Sequence, residues 1–228
     1  MILRCLRVGL SNFKSLLVIF RTPFFLPWIL PELIWRVPTE KKEIFLTFDD
    51  GPVPGPTEFV LDALAKFNAK ATFFCIGDNI RKHSEIFVKI LSAGHSIGNH
   101  TFGHLKGWDY STKDYVNNIE LCTNQIATVS NRQSTVDSGL FRPPYGRITK
   151  AQIRSVKQTH KIIMWDVLTQ DYRQSLNKEY CLAKSVKVSR PGSIVVFHDS
   201  LKAERNLSYV LPKYLEHFSR EGYIFSAL

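Results

Sequence analysis

From Lys41 to Leu228 the hydrophobic pattern keeps changing period, and that alternation limits the fold more than any single residue does. Short apolar runs with strand character, EIFLTF, KATFFCIG, HSIGNH, GLFRPP, KIIMWDV, GSIVVFHD and YIFSAL, are separated by segments with helical spacing. Helices are predicted around TEFVLDALAKFN and SEIFVKILSAG, over about 113–129, and near 149–158 and 178–189. A last one carries Leu207, Val210, Leu211, Tyr214, Leu215 and Phe218 on one face and stops at Gly222. In the first helix Phe59, Val60, Ala63, Leu64 and Phe67 recur at helical spacing, and Asn68 ends it. Short strands rich in Val, Ile and Phe that alternate with helices are buried on both faces, so the chain reads as α/β, a parallel barrel or an open parallel sheet. In either, chemistry collects beyond the carboxyl ends of the strands.

The strand ends carry reactive groups. FLTF ends in Asp49-Asp50, HSIGN in His100-Thr-Phe-Gly-His104, GLF in Arg142-Pro-Pro-Tyr145 and GSIVVF in His198-Asp199, while KIIMWDV leads to Asp171-Tyr172. Asp-Asp-Gly-Pro could be turn chemistry alone, since Asp bonds its own backbone, Gly supplies positive φ and Pro ends a strand. His100 and His104 stand four apart, so one helical turn would bring both imidazoles to one face, about 6 Å apart at Cβ, within reach of one metal ion. Two His and a carboxylate form a standard catalytic metal set, with Asp49 or Asp50 as the third ligand. Neighbouring residues at a strand end point differently, so one Asp can bind metal while the other faces a water as a base.

Size and charge exclude other classes. The 228 residues, 44% apolar and 12% aromatic, suit one large core plus a short extension. The net charge of +10 comes from scattered basic residues with no nucleic-acid motif, so no nucleic-acid partner is expected. Cys5, Cys75, Cys122 and Cys181 lie far apart and suggest neither a zinc ribbon nor a disulfide framework. Residues 1–40 form a basic and aromatic extension ahead of a domain at 41–228, with Arg4, Arg7, Lys14, Arg21 and Arg36 punctuating apolar clusters such as SLLVIF and TPFFLPWIL. No run there reaches the roughly 20 apolar residues of a membrane span, and no small-x-small cleavage site follows it. The expected location is cytoplasmic or membrane-peripheral, with the extension touching a membrane surface, packing on the domain or remaining unstructured.

Residues 42–228 resemble the polysaccharide deacetylases of carbohydrate esterase family 4, the NodB homology domain. TFDDGP (47–52), HTFGH (100–104) and RPPY (142–145) match three family motifs. WDVLTQDY (165–172) and VFH (196–198) resemble two more, with Tyr172 where the family usually has Trp and Val196 where it usually has Leu. The resemblance implies a single-domain distorted (β/α) barrel, often seven-stranded, and metal-dependent hydrolysis of an N-acetyl or O-acetyl group on a glycan. It places Asp50, His100 and His104 on one divalent metal, commonly zinc, with cobalt, nickel and manganese as alternatives. Asp49 becomes the general base, Arg142 its partner, His198 the general acid and Asp171 the carboxylate that tunes it. The backbone N–H of Tyr145 would hold the oxyanion, with Trp165, Tyr172 and Val196 around the sugar. Rival readings are a related hydrolase of a small linear or cyclic amide and a non-catalytic carbohydrate-binding module. Asp166 and Asp199 read as ordinary strand-end carboxylates, and His83, His95, His160 and His217 as solvated surface residues.

Overall fold

A computed structural model of the chain describes residues 18–130 and 139–228. Most of the polar, turn-rich stretch at 130–139 and the first part of the extension, Cys5 included, lie outside the described residues. The sheet grows outward from β1 (Glu43–Asp49), buried along all but its first residue. On one side β1 pairs with β7 (Ile194–His198) and that with β6 (Val167–Leu168). On the other it pairs with β2 (Thr72–Cys75), then β3 (Ser96–Asn99), β4 (Leu140–Phe141) and β5 (Lys161–Ile162). β8 (Ile224–Ser226) pairs with the first residues of β1. Every pairing between these strands is parallel, so the sheet is the curled seven-strand path β5-β4-β3-β2-β1-β7-β6 with β8 beside it.

Helices cover the outer face, as burial on both faces demands. They are α2 (Pro56–Lys66), α3 (Gly77–Lys82), α4 (Ser84–Ser92), α5 (Thr112–Val129), α6 (Lys150–Val156), α7 (Lys178–Val188) and α8 (Glu204–Arg220). The predicted face of α8, Leu207 through Phe218, is buried throughout, although Pro212 lies inside the helix. α5 begins at Ser111, whose side chain accepts the Asp114 N–H, and α6 begins at a Thr149/Gln152 capping box. Two elements depart from the periodicity. α3 is too short to show a helical repeat, and KIIMWDV is two short strands, not one, because residues 163–166 cross from the β5 edge to the β6 edge.

That crossing leaves a seam where two edge strands would expose unpaired backbone groups. Residues 18–37 cover it. Leu168 N–H donates to the Phe20 carbonyl and Thr22 N–H to that of Asp166, while Ile34 N–H donates to Ile162 and its carbonyl accepts from Met164. The short helix α1 (Leu26–Ile29) turns this strap around between the two contacts. Phe20, Leu33 and Trp35 are buried beneath it, and Asp166, expected to be an ordinary strand-end carboxylate, clamps it by accepting from Arg21, Arg190 and Ser193. Cys75, Cys122 and Cys181 are buried free thiols.

The strap should therefore carry stability. Trp35→Ala removes a buried indole and its hydrogen bond to the Leu30 carbonyl. It should cost about 3–5 kcal/mol in urea unfolding; a loss within experimental error would show that the strap is only loosely laid on the barrel.

Candidate active site

The carboxyl ends of β1, β3 and β7 open into one cleft of about 570 Å³, and Asp49, Asp50, His100, His104 and His198 all line it. Asp49 is the last residue of β1 and is buried; Asp50 follows in a left-handed conformation, φ 84°. That turn is held from below by Asp199, which is fully buried. Its Oδ1 accepts the Gly51 N–H at 3.0 Å and its Oδ2 the Thr57 hydroxyl at 2.6 Å. A Cβ on Gly51 would lie 1.9 Å from Asp199 Oδ2, so only glycine fits there. Burial pushes the Asp199 carboxyl up to about 8, against the lowering effect of Thr57. The sequence reading missed this residue; the signal available was the coupling of an Asp directly after a strand-end His with the glycine of TFDDGP.

His100 and His104 do converge, with ring centroids 5.1 Å apart, but not on a helical turn as expected. Residues 100–104 form a loop in which Thr101 and His104 take positive φ, 62° and 55°. Side chains stand in for helical hydrogen bonds: Asn99 Oδ1 accepts the Thr101 N–H, Asn118 Oδ1 those of Phe102 and Gly103, and Thr101 Oγ1 that of Leu105. His100 is buried, and burial lowers its pKa to about 4, so the ring is neutral at neutral pH. Its Nδ1 donates to the Arg142 carbonyl at 2.8 Å, which leaves Nε2 bare and 3.8 Å from Asp50 Oδ1. His104 Nε2 lies 3.2 Å from the same oxygen, and its Nδ1 meets the Tyr145 hydroxyl at 3.1 Å.

Asp50, His100 and His104 thus offer three ligand atoms within 4.8 Å of one another. Burial would raise the Asp50 carboxyl, but the hydrogen bond from His104 and the nearby His198 and His100 hold it well below the usual range. A bare imidazole nitrogen facing a carboxylate oxygen sets lone pair against lone pair, an arrangement suited to a cation between them. The outer nitrogens already engaged by a carbonyl and a phenol are the usual support of metal-bound histidines. The donor set therefore fits one divalent metal ion.

Two buried partners orient the remaining groups. Arg142 is completely buried and donates to Asp49 Oδ1 and Thr47 Oγ1, each at 2.7 Å, and to the Met164 and Ile163 carbonyls at 2.9 and 3.3 Å. Asp171, also fully buried, grips His198 with both oxygens, Oδ1 to Nδ1 at 2.7 Å and Oδ2 to the backbone N–H at 2.8 Å. Burial alone would lower the His198 pKa, but the charge and hydrogen bond of Asp171, with Asp50 and Asp49 nearby, raise it to about 9.

Tyr145, Trp165, Tyr172 and Val196 all line the cleft. Tyr172 meets the His198 ring edge-on at 4.8 Å, so a phenol covers the imidazole. Val196 is the register partner of Leu168, and both contribute to the apolar floor; Leu168 was not singled out in the sequence. Lys106, Arg147 and Lys202, also unpredicted, line the rim. Five of the non-glycine residues with positive φ, Asp50, Thr101, His104, Tyr145 and Gln170, belong to the cleft or adjoin it. Strain concentrated at a site and supported by surrounding hydrogen bonds is characteristic of functional geometry. Of the histidines expected at the surface, His217 is exposed and His83 half-buried. His95 is buried instead, accepts the Ala71 N–H and is pushed down to about 4 by burial.

The family profile described as polysaccharide deacetylase matches residues 36–161, and the chain belongs to that family. It is 34% identical over 194 residues to a peptidoglycan-N-acetylglucosamine deacetylase of Bacillus cereus, covering 84% of this chain and 88% of that protein. It is 32% identical to the peptidoglycan-N-acetylmuramic acid deacetylase PdaC of Bacillus subtilis over 72% of this chain, but spans only 33% of that longer protein. The crystal structure of the Bc1960 peptidoglycan N-acetylglucosamine deacetylase superimposes with a TM-score of 0.81 at 29% identity, covering 91% of this chain and 95% of that one. The fold is accordingly the parallel (β/α) barrel of these enzymes.

Because Asp199 holds the turn that presents Asp50, its removal should be felt at the candidate metal site without touching any of the three donors. Asp199→Ala should weaken zinc affinity about 10- to 100-fold, as loss of an outer support typically does. A zinc titration that matches the parent chain would show that the turn holds itself.

Proposed function

We propose that the chain is a metal-dependent hydrolase that removes the N-acetyl group from amino sugars of a peptidoglycan-type glycan. The observation that carries this reading is the sharing of one cleft by three kinds of group. They are a His–His–Asp donor set, a carboxylate oriented by a buried arginine, and an imidazole gripped by a buried carboxylate. The peptidoglycan deacetylases it resembles support the choice of substrate class.

A divalent cation held by Asp50, His100 and His104 would supply Lewis acidity, loosening a water proton and polarising an acyl oxygen. The rest falls to the chain's own groups. Arg142 engages Asp49 through Oδ1, so Oδ2 is the atom positioned to take the proton of the attacking water. The backbone N–H of Tyr145, at its left-handed turn, donates to the oxyanion that develops on the acetyl carbonyl. Breaking the amide bond requires a proton on the departing amine. His198 delivers it from Nε2, since Nδ1 is committed to Asp171. Leu168 and Val196 offer an apolar floor for the acetyl methyl, and Tyr145, Trp165 and Tyr172 offer aromatic walls to the sugar.

The two neighbouring aspartates separate this reading from simple turn chemistry. Asp49→Asn should keep its metal and lose about 10²- to 10⁴-fold in turnover, because a neutral amide cannot accept the proton. Asp50→Asn should lose metal first, because a neutral ligand replaces an anionic one. Bound zinc and acetate release measured side by side decide the matter: two variants with equal, modest losses would return both residues to the turn.

The pH profile tests the acid. With a pKa of about 9, His198 is charged below that pH and loses its proton as pH rises through it, so turnover should fall on that alkaline side. Asp171→Asn removes the largest raising influence, and the alkaline limb should move down toward the ordinary histidine value of 6.5. A limb that stays where it was, with only the amplitude reduced, would mean that Asp171 supports the fold and does not set the proton.

A further inference from the structure

The strap that closes the barrel seam carries an apolar turn the cleft does not use. Phe24 is 78% exposed, Trp28 79%, Ile29 63% and Phe25 46%, all within six consecutive residues. The turn is built to hold them outward. Leu26 and Leu30 pack inward against the core cluster of Leu33 and Trp35, while Pro23, Pro27 and Pro31 fix φ along the segment. The Phe24 ring packs edge-on against Phe25 at 5.8 Å and Trp28 at 6.1 Å, so the aromatic side chains form one cluster.

The charge around the turn has one sign in excess. Arg21 and Arg190 share the single carboxylate of Asp166, and Lys157 pairs with Glu32. Arg36 donates to the Pro191 carbonyl and has no carboxylate partner among the described residues.

We propose that the Phe24–Ile29 turn is a docking surface for an anionic lipid bilayer. Its aromatic and aliphatic side chains enter the headgroup region, and the flanking arginines meet the lipid phosphates. Exposed Trp and Phe beside arginine is the composition of an interfacial contact. No helix among the described residues is long and apolar enough to cross a membrane, and the contact proposed is a peripheral one. A second copy of the chain is the poorer occupant, because it would set Arg21, Arg36 and Arg190 against the same cations. The geometry also gives an orientation. Asp166 and Arg190, which border the turn, precede β6 and β7, whereas the cleft opens at the carboxyl ends of the strands. A docked molecule therefore turns its cleft away from the bilayer.

The test uses the full chain and vesicles of phosphatidylcholine, with and without about 30% phosphatidylglycerol. The parent chain should sediment with the anionic vesicles and not with the neutral ones. The Phe24→Ser/Trp28→Ser double variant, which alters exposed side chains and should keep its thermal midpoint, should bind at least about tenfold more weakly. In Trp28→Phe, which preserves an aromatic ring, binding should persist while quenching of tryptophan emission by brominated lipid is lost. Absence of parent binding to anionic vesicles would overturn the proposal, as would equal binding by the double variant or undiminished quenching in Trp28→Phe. Equal binding to neutral vesicles would remove the role of charge, and a parent dimer that the double variant converts to monomer would assign the turn to a second copy.

Discussion

A guanidinium with no access to water organises both the barrel and its cleft. Arg142 stands at the carboxyl end of a two-residue strand, too short to be held by its own ladder. Its side chain crosses the interior to β1, where it meets Thr47 and Asp49, and to the seam, where it meets the Ile163 and Met164 carbonyls. The Phe74 ring lies beneath it at 4.1 Å. Burying a charge is costly unless its hydrogen bonds are satisfied, and removing one partner of such a pair typically costs about 3–5 kcal/mol. The arrangement is tolerable because an anion and three neutral oxygens surround the cation. The backbone of the same residue accepts from His100. One residue therefore joins the closure of the sheet to the orientation of two cleft groups.

The seam shows why such a bridge is needed. β4, β5 and β6 have two residues each, and the last two are joined by a chain segment, not by a ladder. Short strands leave room at the top of the barrel for a cleft, but they cannot close it. Closure comes from the strap, fastened by backbone bonds to both edges and by the Asp166 clamp. Residues of the extension thus belong structurally to the barrel, even though the family match begins only at residue 36.

Long periodic elements and dense motifs were legible in the sequence. The apolar face of α8 repeats through about three turns, and TFDDGP, HTFGH and RPPY hold the Asp49, Asp50, His100, His104 and Arg142 side chains that meet in space. The rest escaped because it depends on tertiary partners. A spacing of four suggests a helix, but Asn99 and Asn118 supply hydrogen bonds that hold residues 100–104 in a loop. Asp199 looks ordinary until Gly51 is seen to lack a Cβ where its carboxylate lies. His95 reads as polar surface, yet it accepts a backbone N–H between two strands. Leu168 becomes a cleft residue only through its register with Val196. Apart from the bond between Asn99 and Thr101, none of these relations has a local signature, because each joins residues at least 15 positions apart.

In the proposed reaction the same construction would set the direction of proton movement. Asp49 and His198 face each other across the register of β1 and β7, one strand end beside the next. Each is held by a buried partner of opposite charge that takes one of its two reactive atoms: Arg142 takes Oδ1 of Asp49, and Asp171 takes Nδ1 of His198. The remaining atoms, Oδ2 and Nε2, are then the ones left to the cleft. A carboxylate so held can accept a proton, and an imidazole whose charged form is favoured can give one up. In that reaction acid and base would be separated by their partners, since the two strand ends are otherwise neighbours in one parallel pair, and the parallel ladder fixes their places.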